Sequence, residues 1–163
     1  MFIMHNDAVP VRSGWLGYLK SKLNNTVKIA GASQDKARVK AIHNSGFLFD
    51  FELYEKLDLH FMHDLPIYDI GDFITIGLLA SGYESFACKN TFNNPETIDL
   101  IKTGLYPDFI KNYSFDRSFN DIGELIYMHL GRGTTRTGDA HSKDGYMKRS
   151  EWVTGIRTYF LRD

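Results

Sequence analysis

The sequence is poor in several things, and each shortage excludes something. Its 163 residues include one cysteine, Cys88. A disulfide within the chain is therefore impossible, and a cysteine-based zinc site is excluded. There are only 4 prolines, and no Pro/Gly/Ser-rich linker divides the chain. Charge of one sign is also missing: 19 Lys and Arg against 20 Asp and Glu leave a net charge of -1. That speaks against a protein built to neutralise many phosphates, so no nucleic-acid partner is expected. No apolar run approaches the roughly 18 residues of a membrane span. The opening Met1-Phe2-Ile3-Met4 has no basic leader and is too short for a secretion signal. With its lone cysteine, the chain reads as cytoplasmic. Lys143, Lys148, Arg149, Arg157 and Arg162, with Trp152 and Tyr159 nearby, are the one feature that would hold it peripherally at a membrane, and they read first as a solvated helix face. His-Glu-x-x-His, G-x-x-x-x-G-K-[ST], G-x-G-x-x-G and G-x-S-x-G are all absent. Zinc-protease, P-loop, dinucleotide and esterase readings lose their usual support.

What remains has globular proportions, with 43% hydrophobic and 24% charged residues. Residues 1–163 read as a single domain able to bury a core. The 12 Phe and 9 Tyr are core residues before they are sugar-stacking platforms. Phe2–Met4 reads as a buried strand ending in a polar triplet, and Pro10 as a chain break. Ser13 is placed to cap a helix holding Trp15, Leu16, Leu19 and Leu23 on one face. Val27–Ala30 and an alternating Arg38–His43 read as strands, and Asn44-Ser45-Gly46 as a turn. A helix is expected from Asp69 to Gly82, a strand over Tyr83–Lys89, and a short helix from Pro95 to Lys102, stopped by Gly104. Glu124–Leu130 reads as a strand. Within 136–163 a polar glycine-rich loop precedes a helix from Ser150 to Leu161. Strands alternating with helices predict an α/β fold.

Three constellations carry chemistry. His5-Asn6-Asp7 follows a short apolar strand, and a carboxylate at a strand's end is placed to hold a hard cation. His129-Leu130-Gly131-Arg132-Gly133-Thr134 ends another strand. There His129 can share a metal with Asp7, and Arg132, with Arg136 behind it, can clamp a phosphate. Asp69-Ile70-Gly71-Asp72 offers a carboxylate as general base, although both Asp69 and Asp72 also suit a helix start. His43, His60 and His63 are further imidazoles, and His60 and His63 lie one helical turn apart.

Taken in order, these pieces resemble the middle of a GT-A glycosyltransferase of the family-2 type. Phe2-Ile3-Met4-His5-Asn6-Asp7 with Gly14-Trp15-Leu16 is similar to its Asp-X-Asp strand end and the helix after it. Arg38 and His43–Asp50 resemble the following stretch. Asp69–Asp72 resembles the acidic motif on the acceptor side, and His129–Thr134 the late His-bearing strand end. The resemblance covers roughly residues 1–135. It implies a partial GT-A mixed sheet with flanking helices, the half bearing the metal motif and the acceptor side, with the N-terminal nucleotide-binding half lacking. It implies Mn²⁺ or Mg²⁺ held by Asp7 and His129, a nucleotide-sugar donor near His5, Asn6 and Arg132, and Asp72 or Asp69 as base toward a carbohydrate or lipid-linked acceptor. The triplet departs from the pattern, since His5 stands where the first carboxylate belongs. A missing half would leave a sheet edge open to self-association. Two further readings stand beside it. One is a non-catalytic remnant or binding module. The other is a metal-dependent hydrolase using Asp7, His129 and either His60 or His63.

Overall fold

The computed structural model describes residues 1–33, 40–65, 67–91, 93–113, 115–131 and 149–161. Seven strands form one sheet: β1 (Phe2–Met4), β2 (Ala8–Pro10), β3 (Val27–Ser33), β4 (Ile42–Phe49), β5 (Glu84–Asn90), β6 (Asp116–Phe119) and β7 (Leu125–His129). Their spatial order is β1-β4-β3-β5-β6-β7-β2. Only β3 and β5 run parallel; every other ladder is antiparallel. The helices are α1 (Trp15–Lys22), α2 (Phe51–Lys56), α3 (Asp72–Ala80), α4 (Glu96–Thr103), α5 (Asp108–Asn112) and α6 (Arg149–Tyr159).

The sheet curls through 286° into a nearly closed barrel with the helices on its flanks. This overturns the expected GT-A fold, which needs an open sheet with Rossmann-like crossovers. The physical reason is strand direction: antiparallel neighbours need only short connections, and a twisted antiparallel sheet can curl on itself. The glycosyltransferase reading falls with that architecture.

Three apolar clusters hold the helices to the sheet. Leu19, with Trp15, Tyr18 and Leu23, packs α1 against Ala30, Ala32, Cys88, Ile126 and Tyr127. Ile74 and Leu78 of α3 meet Ile29, Ile42, Phe47 and Phe49. Ile101, Ile110, Trp152 and Ile156 bring α4, α5 and α6 onto Phe115, Phe119, Leu125 and Met128. Among the described residues no helix is long and apolar enough to cross a membrane.

Several local expectations are corrected. Asn44-Ser45-Gly46 is not a turn but the buried middle of β4. Gly46 is small because a Cβ there would stand 3.2 Å from the Tyr127 ring. Ser13 does not cap α1, nor Asp69 α3; Gly14 and Gly71 hold those positions at φ 80 and 88, where a side chain would be strained. Pro10 does not break the chain but ends β2, an edge strand where its missing N–H costs no ladder bond. Arg38 lies outside the described residues, as do Arg132, Arg136 and most of the glycine-rich loop.

Two glycines test the packing in opposite directions. A Cβ on Gly31 would meet the Gly46 carbonyl oxygen at 2.3 Å and the Phe47 backbone at 2.7 Å, whereas one on Gly17, inside α1, meets nothing within 4 Å. Gly31→Ala should destabilise by about 2 kcal/mol or more through overpacking. Gly17→Ala should stabilise by up to about 1 kcal/mol through helix propensity. Urea denaturation of both variants checks this, and the same sign for both would refute it.

Candidate metal site

The two edges of the barrel, β1 and β2, are consecutive in the chain. His5, Asn6 and Asp7 form the short link between them, directly across the seam. Backbone bonds fix this link at both sides. The His5 N–H donates to the Ser45 carbonyl of β4 at 3.2 Å, and the Leu130 N–H, just past β7, donates to the Asp7 carbonyl at 3.0 Å. The Ala8 N–H donates to the His5 carbonyl at 3.2 Å and closes the turn. His129, the last residue of β7, pairs with Ala8 across the β2–β7 ladder. Strand pairing therefore brings residue 129 beside residues 5 and 7, although more than a hundred positions separate it from them in sequence.

Their side chains converge. His129 Nε2 lies 3.3 Å from Asp7 Oδ1 and 3.4 Å from His5 Nδ1, and His5 Nδ1 lies 3.9 Å from Asp7 Oδ1. These three residues can hold a divalent metal ion, each offering one ligand atom. The side chains are 38% exposed at His5, 19% at Asp7 and 9% at His129, so the cluster is seated in the fold yet open on the His5 side. Burial and the neighbouring His129 hold the His5 imidazole below its ordinary value, with Asp7 and Asp69 pulling the other way. The lowered value favours neutral imidazole, the form that binds metal.

The other expected site residues are distributed around this cluster. Asn6 is exposed on the same turn. Asp69 is close enough to raise the proton affinity of His5; its Oδ1 accepts the Ile70 N–H at 2.8 Å. Asp72 is buried, and its Oδ2 accepts the Asp69 N–H at 2.8 Å, so it shapes the entry to α3. His60 packs on the Phe73 ring at 4.9 Å, and His63 is exposed. Neither belongs to the metal group; His5 takes the place expected of them. Cys88 is buried, and desolvation pushes its thiol up to about 12, which makes it a poor nucleophile at neutral pH. A cleft of about 490 Å³ lies elsewhere, between Arg12, Leu100, Leu105, Tyr106 and Phe160. There Arg12 is tied to Glu124 at 2.7 Å.

One residue at the site escaped sequence reasoning. Asp116 of β6 is the ladder partner of His129, is buried, and leaves Oδ1 without a hydrogen-bond partner. The neighbouring Arg117 does not neutralise it by contact. Its guanidinium turns to the carbonyls of Ile110, Tyr113 and Phe115 and lies 3.8 Å from the centre of the Phe115 ring. Desolvation pushes the Asp116 carboxyl up to about 6, against the pull of His129 and Arg117. The sequence signal was weak, because Asp116-Arg117-Ser118-Phe119 is too polar to read as a buried strand.

No protein-family model, curated protein or solved structure matches this chain. The site must be read from its own geometry.

A carboxyl group raised in the folded state binds its proton more tightly there than in the unfolded chain. Asp116 should therefore remove stability from the metal-free protein as pH rises from about 4 through about 6. Asp116→Asn, a neutral isostere, should abolish this component and stabilise the metal-free protein at pH 8 by about 1–3 kcal/mol. Denaturant titrations of both proteins at pH 4.5 and pH 8 measure it. An Asn variant less stable than wild type at pH 8 would contradict the assignment.

Proposed function

We propose that the chain is a hydrolase dependent on a divalent metal, with the ion held by His5, Asp7 and His129. The spacing of the three ligand atoms carries this reading. Around an ion with bonds of about 2.1 Å, tetrahedral donors stand about 3.4 Å apart. The observed separations are 3.3, 3.4 and 3.9 Å. Two imidazoles, one carboxylate and an open fourth position form a donor set used by catalytic zinc. Imidazole also argues against magnesium, which prefers oxygen ligands and octahedral geometry.

When bound, such an ion lowers the pKa of its water toward 7 and polarises a carbonyl or phosphoryl oxygen. The chain's own residues do the rest. Asp7 supplies the negative charge that retains the cation, and its backbone carbonyl is pinned by Leu130. His5 and His129 complete the shell. Asp69, beside His5, is the candidate proton acceptor, and Asp72 holds its backbone in place. Asn6, exposed on the same turn, is positioned to meet a polar group of the substrate.

A second reading comes from the same donors. Two histidines and one carboxylate on one face also hold Fe(II) in oxygenases. Octahedral neighbours at similar bond lengths stand about 3.0 Å apart, closer than any pair here, so the tetrahedral ion is favoured.

The test begins with protein stripped by chelator and titrated with Zn²⁺, Mn²⁺ and Fe²⁺ against a chromophoric competitor. Zinc should bind at about one ion per chain. Asp7→Asn should weaken it by more than the roughly 10–100-fold that loss of an outer-shell partner costs. Nitrophenyl acetate, phosphate and phosphodiester are then assayed with and without metal. Turnover of at least one that needs the ion and is lost in Asp7→Asn supports the proposal. Zinc-loaded protein as inactive as the stripped form on all three sinks hydrolysis, and oxygen consumption with Fe²⁺ would move the assignment to the second reading.

A further inference from the structure

Away from the seam, the cleft of about 490 Å³ is bounded by the end of α4 and the residues after it, by the turn between β6 and β7, and by the residues that follow β2. Phe160, just past α6, completes its wall. Packing explains its shape. Gly104 stops α4, and a Cβ there would stand 2.8 Å from the Leu100 carbonyl oxygen and collide with the Tyr106 ring. The smallness of Gly104 therefore lets Tyr106 fold back against the helix end. The Tyr106 hydroxyl accepts the Leu125 N–H at 3.4 Å, which ties this loop to β7. With Tyr106 turned inward, its neighbour Leu105 is left on the rim, fully exposed. Ile122 and Leu161, each next in sequence to a lining residue, are exposed as well. Apolar side chains at the mouth of a cleft, with Val11, Leu100 and Phe160 in its lining, suit an apolar ligand.

The polar part of the lining is uneven. Glu124 meets Arg12 Nη2 with Oε1 at 2.7 Å and accepts the Asn120 amide with Oε2 at 2.8 Å, so both its oxygens are engaged. The Thr103 hydroxyl donates to the Asp99 carbonyl at 2.7 Å. Arg12 differs. A guanidinium carries N–H donors on three nitrogens. Glu124 faces one of them, and among the described residues Arg12 has no other partner. Its side chain is 49% exposed, so a ligand can reach it.

We infer that this cleft binds a small apolar carboxylic acid, with the hydrocarbon of the acid on Leu100, Leu105 and Phe160 and its carboxylate on Arg12. Glu124 steadies the guanidinium and, with both oxygens engaged, leaves the cleft richer in donors than in acceptors. The planar fork of an arginine suits a carboxylate. Size favours a small molecule over a protein partner. A volume of about 490 Å³ falls in the range of small-ligand sites, whereas a stable protein partner needs a patch of about 800 Å². None of the lining residues belongs to the metal group, so this inference stands apart from the metal reading.

Octanoate is the probe, and octan-1-ol is its uncharged control. Titrated into the ¹⁵N-labelled full chain, octanoate should bind saturably at about millimolar Kd, as expected of so small a ligand. It should shift the amides of Gly104, Leu105, Gly123 and Leu125, alike in chelator-stripped and zinc-loaded protein. Arg12→Gln should weaken octanoate about three- to tenfold, the range for one partly exposed charged contact, and leave octan-1-ol unchanged. Arg12→Lys should recover part of that loss. Leu105→Ser, at a position whose side chain adds nothing to the core, should weaken both ligands. Octanoate that does not saturate, that shifts only the amides around His5, Asp7 and His129, that needs zinc, or that loses no more affinity than octan-1-ol in Arg12→Gln overturns the inference. Tighter binding of acetyl-leucyl-leucine with a free carboxylate would assign the cleft to a protein C-terminus and overturn the choice of a small acid.

Discussion

The backbone closure of the barrel seam is the constraint on which both fold and site depend. A curled sheet with two unpaired edges exposes rows of hydrogen-bonding groups. Here the edges β1 and β2 are joined by three residues, and the link is stitched to β4 on one side and to the end of β7 on the other. A link this short allows little freedom. With His5 hydrogen-bonded to Ser45 and Asp7 to Leu130, the side chains at 5 and 7 stand beside the end of β7, where His129 sits. The cluster is thus a consequence of how the sheet closes. A change that loosened the seam would separate the ligands before it unfolded the helices.

Burial of polar groups is distributed unequally around that seam. Arg117 is enclosed, but backbone carbonyls and an aromatic face take up its guanidinium, and a satisfied buried charge is tolerable. Asp116, one position earlier and paired with His129, keeps a buried carboxylate oxygen without a partner. Natural cores rarely retain such an atom without a local reason. Its neighbourhood supplies one: a cation at the adjacent cluster would add to the electrostatic pull that His129 and Arg117 already exert on it. Stability given up at Asp116 fits a pocket arranged for an ion.

The sequence showed the pieces of this site more clearly than the frame that holds them. The strand end at Met4, the helix expected over 69–82 and the strands expected over 83–89 and 124–130 were legible to within a few residues because apolar periodicity and glycine stops mark them. The pairing of Asp7 with His129 was legible because both follow apolar strands. The resemblance to a sugar transferase failed because short motifs carry no information on strand direction. Elements that decided the architecture were the least visible: β2 is three residues with a proline, and β6 is mostly polar. Gly46 illustrates the difficulty. Beside Asn44 and Ser45 it reads as a turn, whereas its smallness admits the Tyr127 ring, whose hydroxyl donates to the Gly46 carbonyl at 3.1 Å. Asp116 was hidden for a similar reason, since only its pairing with His129 brings it to the cluster.

Electrostatics supplies a last reason to regard the seam as prepared for a cation. Burial, and then the His129 nitrogen 3.4 Å away, disfavour the protonated form of His5, so a proton is a poor substitute there for a metal. Both ring nitrogens lie within 3.9 Å of an Asp7 carboxylate oxygen, so three potential ligand atoms are gathered in one place. A divalent ion could engage all three at once, at separations the backbone has already set. The His43 ring nearby, whose Nδ1 accepts the Ser45 N–H, is not a member of that group.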